Sequence, residues 1–135
     1  MLFRSICRKA VTNNGHAIHY VPSKFLTNEI CELAVSNYGF IRAFIPKHMQ
    51  TEKLCLLALK QNCELIKNMD EAEMTLNVCK LAVQLRQSNM KHIPMKMQRE
   101  MIMDDWRMIQ HFPIEFQTDD IMDICVRKIL NIPMN

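Results

Sequence analysis

The chain has 135 residues, 49% of them apolar, with 17 basic residues against 14 acidic ones and a net charge of +3. That length holds one domain or one short array, and the small net charge argues against a dedicated nucleic-acid binder. Only 2 glycines and 5 prolines argue against a turn-rich β fold and against disorder, and the longest strongly apolar run, Leu54–Leu59, is far short of the roughly 20 residues that span a bilayer.

Met1–Lys9 carries two arginines and a lysine with no long apolar stretch behind them, which is not a Sec signal peptide. The expected location is cytoplasmic, since the six cysteines read as reduced thiols. From Ile6 onward the chain repeats every 24 residues: Cys7, Cys31, Cys55 and Cys79 fall in one column, and Ala10, Ala34, Ala58 and Ala82 in another. Val11, Val35, Leu59 and Val83 follow, and Pro22, Pro46 and Pro94 mark a further column in which Asp70 is the exception. A fixed period of this kind predicts an all-α fold, a short α-solenoid of stacked two-helix repeats. The whole chain reads as one repeat domain of about five to six units, at 6–29, 30–53, 54–77, 78–101, 102–120 and 121–135, the last two shortened.

In each repeat the first helix is expected to start after a threonine cap. Thr27, Thr51, Thr75 and Thr118 each stand three residues before Ile30, Leu54, Val78 and Ile121, where a hydroxyl oxygen can accept an orphan amide of the first turn. Apolar residues then recur as in Ile30, Cys31, Ala34 and Val35, which forms one helical stripe. The helix is expected to stop at Gly15 and Gly39, read as left-handed terminators, and a short second helix such as His16–Val21 ends at the proline. The column Lys9, Leu33, Leu57, Leu81, Asp105 is leucine in the middle and charged at the ends, as in an array with polar caps. The register breaks once: Pro113 lies 11 residues after Ile102, where earlier repeats have 16, so five residues are expected to be missing from the hairpin of the fifth repeat, with Trp106 in its alanine position.

Two strings carry a resemblance: Ala10-Val11-Thr12-Asn13-Asn14-Gly15-His16-Ala17-Ile18-His19-Tyr20-Val21-Pro22 and Ile30-Cys31-Glu32-Leu33-Ala34-Val35. They resemble an uncharacterised short-repeat family with units A-V-x-x-N-G-x-A-L-x-Y-V-P and a capped helix L-C-x-x-A-V, found in bacterial effector-like proteins and in large DNA viruses. The first two repeats match well, the third and fourth in part, the last two weakly. The resemblance implies an interaction role, and an effector delivered to a host cell. It supplies no catalytic residues.

No site chemistry stands out. Two glycines cannot build a phosphate loop. Four of the six cysteines share a column and the others fall at small-residue positions, which predicts reduced, buried thiols and no metal site. His16 and His19 read as surface residues, His92 and His111 as substitutes for a packing ring in the column of Tyr20 and Phe44, and the pairs Asp104-Asp105 and Asp119-Asp120 as a solvated end. No cofactor is expected. The leading expectation is a non-catalytic scaffold binding another protein, not nucleic acid. A cytosolic inhibitor, immunity protein or chaperone-like binder is the second, and a small Cys–His enzyme is the different-class alternative. Oligomeric state is open.

The expected partner residues are departures from the repeat. Leu56 stands in the charged column of Arg8, Glu32 and Lys80, Arg42 in the apolar column of Ile18, Ile66 and Met90, and Tyr38 where Asn14 and Asn62 stand. Methionine is dense between Met90 and Met108, and Met90, Met101 and Met108 are the next candidates, either as core residues or as an adaptable binding surface.

Overall fold

The computed structural model describes residues 2–134. The fold is all-α, and no strand occurs among the described residues. Six α-helices alternate with 3₁₀ helices: α1 (Leu2–Asn13), α2 (Asn28–Asn37), α3 (Glu52–Gln61), α4 (Leu76–Leu85), α5 (Met95–Asp104) and α6 (Asp119–Leu130). No helix among the described residues is long and apolar enough to cross a membrane.

The threonine caps form as the spacing requires. The hydroxyls of Thr27, Thr51, Thr75 and Thr118 accept from the amides of Ile30, Leu54, Val78 and Ile121. In the first five repeats the second helix is 3₁₀, as in Gly15–Tyr20 and Gly39–Phe44, and in all of them but the fourth a further three-residue 3₁₀ turn follows, as in Ser23–Phe25 and Lys47–Met49.

The chain forms two compact units, Met1–Leu65 and Ile66–Asn135. In the first, α1 packs on α2 and α2 on α3, each with the 3₁₀ helix that follows α1 or α2 beside it. In the second, α4 packs on α5 and α5 on α6. Both use the same inter-repeat contacts. Arg8 pairs with Glu29 at 2.9 Å, Lys53 with Glu32 at 2.7 Å and Arg99 with Asp120 at 3.3 Å, all at 21-residue separation. In the first unit Asn37 Nδ2 donates to the Thr12 carbonyl at 3.0 Å, and Gln61 Nε2 donates to the equivalent Ser36 carbonyl.

Three expectations are corrected. First, Gly15 and Gly39 are not left-handed; among the described residues the one with positive φ is Asn131, at 57°, closing α6. Glycine is needed there for close approach. A Cβ on Gly15 would sit 2.9 Å from the Ala34 carbonyl oxygen, and one on Gly39 would sit 3.0 Å from the Ala58 carbonyl oxygen.

Second, the five missing residues come from the connector before the fifth repeat, not from its hairpin. Elsewhere the column-22 residue is followed by a 3₁₀ turn and a threonine cap, whereas Pro94 itself stands at the start of α5, with no side-chain cap. The bonds that close each helix fix the register. The amides of Asn14, Tyr38, Asn62, Arg86 and Asp105 donate to the carbonyls of Ala10, Ala34, Ala58, Ala82 and Met101. Met101 therefore stands in the alanine column, and Trp106 in the column of Gly15 and Gly39.

Third, the ends are not polar caps. Ile6 is 52% exposed where Ile30 is 4%, Leu2 and Phe3 are exposed beside it, and Met122 and Val126 are exposed on α6. Asp105 is no end cap either, because its side chain accepts from the Arg107 amide and starts the 3₁₀ helix Trp106–His111.

Candidate functional site

The outer face of the 3₁₀ helices in the first unit carries a continuous run of rings. Tyr38 lies 4.8 Å from His16 between ring centroids, His16 stacks on His19 at 6.2 Å, and His19 meets Phe44 edge-on at 4.9 Å. The backbone places them. A 3₁₀ helix brings i and i+3 into line, so His16 and His19 share an edge of Gly15–Tyr20, while Tyr38 and Phe44 bracket Gly39–Phe44. Tyr20, Phe40 and Phe44 are 88%, 51% and 66% exposed, and Tyr38 is half exposed. A shallow cavity of about 210 Å³ opens beside Tyr38 and Phe40, lined also by Asn37, Gly39, Gln61 and Asn62.

The position of Tyr38 has a local cost. Its equivalents Asn14, Asn62 and Asp105 each accept an amide two residues on, from His16, Glu64 and Arg107, at 3.0 Å. Tyr38 makes no such cap. An Asx-type turn is thus given up where an exposed ring is gained.

Of the residues expected from the sequence, Tyr38 belongs to this surface and the others do not. Arg42 is buried. Its guanidinium donates to Gln50 Oε1 at 2.7 Å and lies 4.0 Å from Cys55 Sγ, while Gln50 Nε2 donates back to the carbonyls of Arg42 and Ile45 at 3.1 and 2.8 Å. Arg42 keeps the inward direction of its Ile18/Ile66 column and satisfies the guanidinium there. Leu56 is half-buried on α3. Met90, Met101 and Met108 are buried, so they cannot offer a surface to a partner. Each occupies an inward column: Met90 that of Ile18 and Ile66, Met101 that of Ala34, and Met108 that of Ile41.

Sequence reasoning also misread the column of Tyr20 and Phe44 as a packing position. Both rings face solvent, and His92 and His111 in the same column are half-buried. The available signal was that His16, His19, Tyr20, Phe40 and Phe44 all lie outside the apolar columns.

The remaining chemistry is structural. All six cysteines are thiols, with Cys63 half-buried and the others buried. Burial pushes the Cys79 thiol up to about 11, and burial also raises Cys31 and Cys125. Asp104 pairs with Lys80. No group of three or more potential metal ligands occurs among the described residues.

Residues 4–50 match the family described as a domain of unknown function (DUF4116). That span covers most of the first two repeats, the pair that carries the ring surface. No curated protein and no solved structure gives a significant match to the chain.

Proposed function

We propose that this chain is a non-catalytic protein-interaction scaffold whose docking face is the surface of Tyr38, His16, His19 and Phe44, with Tyr20 and Phe40 beside it. One observation carries the reading: the repeat does not need rings at these positions. The column of His16 and Phe40 continues as Glu64, Ser88 and Arg107, and that of His19 as Ala43, Lys67, Lys91 and Gln110, while that of Tyr20 and Phe44 turns polar at Asn68 and then holds half-buried imidazoles at His92 and His111. Polar residues serve the same backbone further along, so rings left in water in the first two repeats reflect something other than folding. Tyrosine and phenylalanine offer large contact area with few rotatable bonds, the composition of interface hot spots. Cys31, Cys79 and Cys125 do not fit the enzyme alternative, since a nucleophilic cysteine works as a thiolate at lowered pKa in a partly exposed site, whereas these three are buried and raised.

The test is affinity capture from lysate with quantitative mass spectrometry. A His16→Ala/Tyr38→Ala/Phe44→Ala variant is compared with wild type and with a Glu64→Ala/Lys67→Ala control. Loss of specific partners in the ring variant alone, with circular dichroism unchanged, is expected. Equal capture by all three would place the docking face elsewhere.

A further inference from the structure

The inter-repeat interface has two unlike sides, and one of each is left open. On α2, which has a helix on either flank, Ile30, Cys31, Ala34 and Val35 are all buried. On α1, which packs on the following helix α2 and on the 3₁₀ helix Gly15–Tyr20, Cys7 and Val11 are buried while Ile6 and Ala10 are exposed. On α6, which packs on the preceding helix α5, the pattern inverts: Ile121 and Cys125 are buried, while Met122 and Val126 are exposed. The cysteine–valine positions therefore face the next repeat, and the isoleucine–alanine positions face the previous one. The open side of α1 is the second kind and the open side of α6 is the first. Each is extended by an exposed leucine one turn along the same stripe, Leu2 on α1 and Leu130 on α6.

We infer that the occupant of each open side is a second copy of this chain, α6 of one molecule stacking on α1 of the next. The contact continues the interface that already joins α1 to α2 and α5 to α6, with Met122 and Val126 set against Ile6 and Ala10. Because the two sides differ, the association is heterologous and head-to-tail. One such contact uses one side of each kind, the α6 side of one copy and the α1 side of the next.

Complementation tests this. Sedimentation analysis of the wild type across a concentration series is expected to show an average mass rising above the 15.9 kDa of one chain. Ile6→Glu removes one side and Met122→Glu the other. Each variant alone is expected to stay monomeric at all concentrations, and an equimolar mixture to form a 1:1 pair of twice the monomer mass that grows no further. Both positions are exposed, and circular dichroism verifies the fold. A wild type that stays monomeric throughout the series overturns the inference. So does a mixture that fails to pair, or a single variant that still dimerises, which would mean like sides meeting. The ring surface is untouched by either substitution, so these results stand apart from the docking reading.

Discussion

The outer 3₁₀ faces of the first two repeats and of the later ones share a backbone and differ in chemistry. The early face presents His16, His19, Tyr20, Tyr38, Phe40 and Phe44; the later one presents Glu64, Lys67, Asn68, Lys91 and Arg107 at matching positions. The methionines show the converse. Met90, Met101 and Met108 have the composition of an adaptable surface, yet they lie inside because their columns do. Column position fixes which side chains meet water. The columns of His16 and His19 are exposed in every repeat, and departures in chemistry there carry the functional information.

The largest effect expected from this contrast is at Met101. Met101→Ala should destabilise the protein by about 2–5 kcal/mol, the range for truncating a buried methionine, while Phe44→Ala should fall within about 0.5 kcal/mol of wild type, as for surface changes. Denaturant midpoints measure both. Equal effects would erase the distinction between inner and outer columns.

Arg42 sharpens the same point, since a charged residue occupies an inner column. Arg42→Ala should cost about 1–3 kcal/mol, because it leaves Gln50 Oε1 without its guanidinium donor. An unchanged midpoint would mean that the side chain is not held inside.

The buried thiols give a pH signature. The folded Cys79 thiol ionises near 11 and an unperturbed one near 9.0. Its contribution is therefore fully present below about pH 9 and is lost as pH rises toward about 11, because only the unfolded chain forms the thiolate in that window. Stability measured across that window should decline, and less steeply in Cys79→Ala.

The smallest effect has the opposite sign. Tyr38→Asn restores the turn that Asn14 and Asn62 make, and should stabilise by about 0.5 kcal/mol while weakening partner capture. Destabilisation would show that Tyr38 serves the fold.

Much of the fold was legible in the sequence because periodicity and caps are local. The threonine three residues before each apolar stripe located four helix starts, and the cysteine and alanine columns identified the buried face of α2, α3 and α4. The site of the deletion was not legible. Removing five residues before or after α5 leaves Pro113 and Ile121 at the same separation; the start of α5 at Pro94 and the bond from the Asp105 amide to the Met101 carbonyl decide between them. Glycine was read by its common use, a left-handed stop, whereas its use here is close approach to a helix carbonyl from the next repeat. Of the site, Tyr38 was legible as a broken column. Arg42 was not, because charge alone does not reveal that Gln50, eight residues on, satisfies it. The ring run was missed because its members come from two repeats and meet only once the 3₁₀ helices lie side by side.

A hydroxyl-radical footprint of the native protein, read by mass spectrometry, tests the dependence of exposure on column most directly. Methionine oxidises readily when accessible, so chemistry alone would favour modification at the thioethers. Rapid modification of Tyr20, Tyr38 and Phe44, with Met90, Met101 and Met108 protected until the protein is unfolded, is the predicted result. Fast oxidation of those three methionines in the native state, with the rings protected, would contradict it and return the binding surface to the methionine-rich segment.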